Sequence, residues 1–195
     1  MRKLGFVAAF VLAAAALTAA LASATEGGKS RAEMLKAAKA ANARFVSVEQ
    51  AVKAGYSGKN EPCVTAPPPP NAHGAMGIHY VNGPVVADDA IDPLGPEILL
   101  YLPGKDGKLK LVGVEYFKVA ADQTPDKFGR LDDSDRPTVF GRPLDGPMPG
   151  HNPTMPYHYD LHVWFWKPNP SGFFAPFNPG IACPPAKPSA ATADK

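Results

Sequence analysis

All 23 prolines of this 195-residue chain lie at or after Pro62, and the first 61 residues contain none. Proline lacks the backbone N–H and clashes with the preceding turn, so helices belong before the break and extended chain, turns and loops after it. The helical part has its own start signals. Ser30-Arg31-Ala32-Glu33 is a capping box, and Met34, Leu35, Ala38, Ala41 and Phe45 follow at helical spacing. Ser47-Val48-Glu49-Gln50 starts a second, shorter helix that Gly55 can end, with Tyr56 as a packing residue.

Beyond the break, Pro67–Pro70 reads as a polyproline connector, and four segments read as strands: Met76–Asn82, Glu97–Leu102, Lys108–Val119 and Tyr157–Trp166. Pro103-Gly104-Lys105-Asp106-Gly107 is the hairpin turn between the middle two. Residues 120–156 are a long loop rich in proline, glycine and aspartate, and loops of that length tend to carry function. Helices first and antiparallel strands later predict an α+β fold: N-terminal helices packed on an antiparallel sheet, with a long proline-rich loop and one disulfide. The expected organisation is a signal peptide over 1–24, a single domain over 25–183 and a disordered tail over 184–195.

The leader rests on Arg2 and Lys3, the apolar run Gly5–Leu21 and the small-x-small pattern Ala22-Ser23-Ala24. It predicts a secreted or periplasmic protein with no stable membrane insertion after cleavage. Without Arg2 and Lys3 the chain has 18 basic and 18 acidic side chains and no basic cluster, which argues against a nucleic-acid partner. Cys63 and Cys183, the only cysteines, are then a disulfide pair in an oxidising compartment.

The candidate chemistry is imidazole, thioether and carboxylate. Met76-Gly-Ile-His79, Met148-Pro-Gly-His151 and Met155-Pro-Tyr-His158 repeat one spacing, and mixed soft and borderline donors suit copper, with zinc the other candidate. On a strand, His158, Asp160 and His162 share a face, but His158 and His162 would stand about 13 Å apart, too far to chelate one ion together. The expected metal ligands are therefore His79, Glu115, His151, His158 and His162 in some shared arrangement. Asp160 orients a ring, and Met76, Met148 and Met155 serve as soft ligands. Glu115 interrupts the apolar run Leu109–Phe117 and is expected on a face with Leu109, Leu111 and Phe117, where a carboxylate must be paired, bonded or protonated. Glu97 reads as an exposed charge at a strand edge. Trp164, Trp166, Phe173, Phe174 and Phe177 read as a packed aromatic cluster.

Several stretches together resemble a family of exported bacterial proteins of unknown function. They are Gly74-Ala-Met-Gly-Ile-His-Tyr-Val-Asn82, Pro96-Glu-Ile-Leu-Leu-Tyr101, Leu111-Val-Gly-Val-Glu-Tyr116, Asp145-Gly-Pro-Met-Pro-Gly-His151 and Tyr157-His-Tyr-Asp-Leu-His-Val-Trp-Phe-Trp-Lys-Pro-Asn-Pro170. The resemblance implies export and one shared domain, and it brings no catalytic role with it.

No nucleophile elbow, P-loop, dinucleotide fingerprint or His-Glu-x-x-His helix is present. The leading expectation is a protein that binds a metal ion or small ligand in a His/Met/Glu-lined cleft. A structural or partner-binding envelope protein and a metal-dependent or acid–base enzyme are the alternatives.

Overall fold

The computed structural model describes residues 25–26, 28–58, 63–67, 73–151 and 155–183. The leader over 1–24, most of the polyproline run and the tail over 184–195 lie outside the described residues. The chain forms a curled antiparallel sheet with a few helices. Among the described residues, no helix is long and apolar enough to cross a membrane.

Helix α1, Arg31–Asn42, begins as its capping box dictates: Glu33 N donates to Ser30 Oγ, and Ser30 N donates to a Glu33 carboxylate oxygen at 2.8 Å. Met34, Ala38 and Asn42, spaced four apart, form its buried stripe. A 3₁₀ turn, Ala43–Val46, leads to Ser47, which caps α2, Val48–Lys53, by accepting from Gln50 N. Gly55, at φ 96°, supplies the left-handed residue that follows.

Six strands make the main sheet: β1 (Cys63–Thr65), β2 (Ala75–Val81), β3 (Ile98–Pro103), β4 (Leu109–Val119), β5 (Asp145–Met148) and β6 (His158–Val163). Their spatial order is β1-β2-β3-β4-β6-β5, antiparallel throughout. The four inner strands are the four that alternation and β-branched content mark in the sequence. The edge strands β1 and β5 are short and half-buried, with no apolar alternation to announce them. Pairing of β6 with β4 sets His162 opposite Glu115 and Asp160 opposite Phe117.

A bulge corrects one expectation. Between Leu100 and Tyr101 the β3–β4 register slips, with Gly113 opposite Leu100 and Leu111 opposite Tyr101. The extra residue, Val112, inverts the alternation of β4. Leu109 and Leu111 therefore join Val114 and Tyr116 on one face, while Glu115 and Phe117 share the other with Val112.

The two faces bury different material. One buries Leu99, Tyr101, Val114, Tyr116, Tyr159, Leu161 and Val163 in a single cluster with Met34, Ala38, Phe45, Ala51 and Tyr56 and with Val139, Phe140 and Leu144. The other has a smaller apolar cluster of Ala75, Ile98, Leu100, Val112, Phe117, Trp164 and Ile181, into which Cys63 and Cys183 pack. Those two cysteines form a disulfide across 120 positions. The segment after β6 returns to the start of β2 through an Ala75–Asn178 bridge, and Asn178 Nδ2 also donates to Pro168 O. A Cβ at Gly74, which sits at φ 91°, would overlap the Asn178 carbonyl, so that approach requires glycine.

The aromatic residues divide as well. Phe165, Phe173 and Phe174 stack edge to face in series, while Trp164 turns to the second face and donates Nε1–H to Ala175 O at 2.7 Å. Glu97, expected at an exposed edge, is 1% exposed. One of its oxygens accepts from Phe117 N at 2.9 Å, and burial raises its carboxyl to about 8, against the pull of that bond.

Candidate metal centre

The face with the smaller apolar cluster carries the imidazoles and carboxylates. His79 comes from β2, Glu115 from the middle of β4, and His158, Asp160 and His162 from alternate positions of β6. Alternation along β6 and the Val112 bulge in β4 together aim all five side chains to one side. Glu115 and Asp160 are each 1% exposed, and His158 and His162 are fully buried.

These residues divide into two groups. In the first, His79 Nε2 lies 3.1 Å and His162 Nε2 lies 3.6 Å from the same oxygen of Glu115. In the second, His158 Nε2 lies 3.8 Å from Asp160 Oδ2, and the exposed His151 brings its ring 5.8 Å from that of His158, edge to face. In each group the donor atoms lie within 4.8 Å of one another. The strand geometry that separates His158 from His162 thus places them in different groups.

Asp160 stands between the groups. Its Oδ2 faces His158, and its Oδ1 lies 3.9 Å from His162 Nδ1, so it bonds neither ring directly. His151 belongs with His158 and Asp160, away from the Glu115 group in which the sequence reading would have used it. Met155 Sδ accepts from His151 N at 3.4 Å, so this sulfur supports the loop backbone. Met148 is half-buried opposite His158 on the edge strand, and Met76 is buried at a second bulge, where β1 slips against β2.

Electrostatics follow from burial and proximity. Burial pushes the Glu115 carboxyl up, but positive charge on His162, His79 and His158 outweighs it and holds the group down at about 2. Burial lowers the His158 imidazole, and Asp160, the Pro156 carbonyl and Glu115 more than reverse that, for a net rise. His151 is lowered, chiefly by burial. The Glu115 carboxyl is therefore ionised, and it stands opposite imidazole nitrogens of two strands.

These nitrogens and oxygens are poorly served by hydrogen bonds. Glu115 Oε2, both Asp160 oxygens, His158 Nε2 and both nitrogens of His162 are buried without a hydrogen-bond partner. Leaving such groups unpaired costs about 1–3 kcal/mol each, and more when they are charged. The spacings of 3.6–3.9 Å are too long for hydrogen bonds. They suit donors arranged around a shared cation about 2.0–2.2 Å from each. Phe117 stacks on His158 at 4.8 Å and Trp164 lies 6.4 Å from His162, which gives the groups apolar walls.

Beside the second group a surface cavity of about 550 Å³ is lined by His151, Met155, Pro156, Tyr157, Gln123 and the Pro149–Gly150 segment. The first group is closed off, with His79 its most exposed member at 7%.

Sequence reasoning missed Glu97. Its position after a proline at a strand start resembles an edge, yet the structure buries it against the Phe117 backbone. No known protein family, curated protein or solved structure matches the chain.

Proposed function

We propose that this protein is an exported metal-binding protein whose ion is a divalent cation, zinc before copper, held by His79, Glu115 and His162. The observation that carries this reading is the meeting of two imidazole nitrogens with one oxygen of a fully buried carboxylate, at 3.1 and 3.6 Å. Two histidines and a carboxylate are an established donor set for zinc.

The donor chemistry separates zinc from cuprous copper. Cuprous ion favours thioether sulfur, but the first group offers two nitrogens and an oxygen, and Met155 sulfur is engaged with the His151 backbone. A borderline divalent ion is the better match. The burial of the group and the disulfide on the same face suit retention of an ion in an oxidising compartment. The N-terminal helices serve this site at a distance, as the cover that stabilises the opposite face of the sheet.

Purified protein dialysed against zinc and then against buffer should retain metal. Glu115→Gln, which keeps the side-chain volume and removes the charge, should lower zinc affinity at least 100-fold while the circular-dichroism spectrum stays unchanged. Wild-type protein that keeps no zinc, or a Glu115→Gln variant with undiminished affinity, would overturn the assignment and favour a structural envelope role.

A further inference from the structure

The second group, His151, His158 and Asp160, is more than a rim of the first. We infer that it binds a second divalent cation, so that the protein carries a two-ion centre in which Asp160 links an outer, accessible ion to the inner one. This rests on the inner group being a metal site, and the test below separates the two readings.

The argument begins at His158. Its Nδ1 lies 3.1 Å from the Pro156 carbonyl oxygen, which only accepts, so Nδ1 carries the ring hydrogen. In the neutral ring Nε2 then presents its lone pair, and it lies 3.8 Å from Asp160 Oδ2. A lone pair 3.8 Å from a carboxylate oxygen, both buried and neither hydrogen-bonded, is repulsive unless a positive charge lies between them. A proton on Nε2 meets that need in part, but the distance is too long for the bond it would make. A metal ion meets it fully, with His158 Nε2 and Asp160 Oδ2 as donors and His151 closing from the loop.

The other oxygen of Asp160 has a separate task. Oδ1 faces His162 Nδ1 at 3.9 Å, on the far side of the ring from the Nε2 that faces Glu115. An Asp160 that ligates the outer ion through Oδ2 thus orients the His162 ring through Oδ1. Carboxylates behind ligating histidines act in this way, and their loss typically lowers metal affinity 10–100-fold.

The outer ion would differ from the inner one in access. His151 is exposed and lines the 550 Å³ cavity, so three protein donors leave a coordination position toward solvent. The inner ion has no comparable opening. The outer position is where water or an exogenous anion would bind.

Native mass spectrometry of the intact protein titrated with zinc acetate reads the stoichiometry directly. Two zinc ions are expected on the wild type, one on His151→Ala and one on Glu115→Gln. Asp160→Asn should lose the outer ion and hold the inner one 10–100-fold more weakly. His151 is exposed, so its replacement leaves the buried sheet intact. One zinc ion on the wild type, kept by His151→Ala, would overturn the second site and leave the inner one standing. One ion that is lost in His151→Ala and kept in Glu115→Gln would overturn the inner assignment, and with it the two-ion centre. No bound zinc would overturn both.

Discussion

The two faces of the sheet bury polar groups in opposite ways. On the face with the larger apolar cluster, each deeply buried tyrosine places its hydroxyl on an acceptor. Tyr56 donates to Pro96 O, Tyr101 to Phe45 O and Tyr116 to Pro93 O, each at 2.6 Å, and Tyr159 donates to Asp135 at 2.7 Å. On the opposite face, Glu115, Asp160, His158 and His162 lie as deep and leave donor atoms without hydrogen bonds. Both faces use the same strands, so local conformation does not explain the difference. The tyrosine hydroxyls of one face are satisfied within the chain, where Asn42 Oδ1 and one Glu97 oxygen are the unpartnered atoms, whereas the other face gathers unpartnered nitrogens and oxygens side by side. Strain of this kind persists only where the surrounding fold over-determines it.

The largest expected effect tests an exception to the rule. Glu97, by alternation from Ile98, belongs with Tyr116 on the satisfied face, yet one of its oxygens has no partner. The unfolded chain releases this proton near pH 4.5, while the folded chain keeps it to about pH 8. Between these values the unfolded state binds fewer protons, so stability falls as pH rises and levels off above pH 8, by up to about 4–5 kcal/mol. Glu97→Gln, an uncharged mimic of the protonated acid, should remove that slope in urea titrations across this range. An unchanged slope would mean that Glu97 is solvated and is no exception to the comparison.

A smaller effect, of the opposite sign, sharpens the contrast. Replacing a buried ion pair with apolar residues of similar volume is often neutral or stabilising by about 1–4 kcal/mol. The double variant His79→Leu/Glu115→Met, unfolded in the presence of chelator, should match or exceed the wild type in stability while retaining no zinc. A loss of several kcal/mol would show that this pair serves the fold instead of a ligand.

The smallest effect belongs to the tyrosines. Tyr101→Phe and Tyr116→Phe should each cost about 0.5–1.5 kcal/mol, because each leaves a backbone carbonyl without its donor. Zinc stoichiometry should not change in either. If one of them altered metal retention, the two faces would be coupled through the sheet and could not be treated as separate.

Local signals made the inner architecture legible. The capping box predicts the start of α1 to the residue, and the β-branched and aromatic runs predict the four inner strands to within three residues at each end. The pairing of Cys63 with Cys183 follows from there being only two. The edge strands and the Val112 bulge were not legible, because a strand held by a neighbour's backbone needs no pattern of its own, and a bulge is a property of the pair. For the site, the composition of imidazoles and carboxylates was readable, but its division was not. The sequence pointed to a single shared set with sulfur donors, whereas register set His162 beside Glu115 and the loop set His151 beside His158.

By itself, then, the sequence determined the elements with strong local periodicity and which donor types face the same way along β6, since both depend on neighbours within a few positions. The tertiary structure decided which donors meet, which are satisfied and how deeply Glu97 is buried. Those outcomes depend on the register and curl of strands brought together from 36 to 83 positions apart in the chain, and no local pattern encodes a distance of 3 Å between residues so far separated.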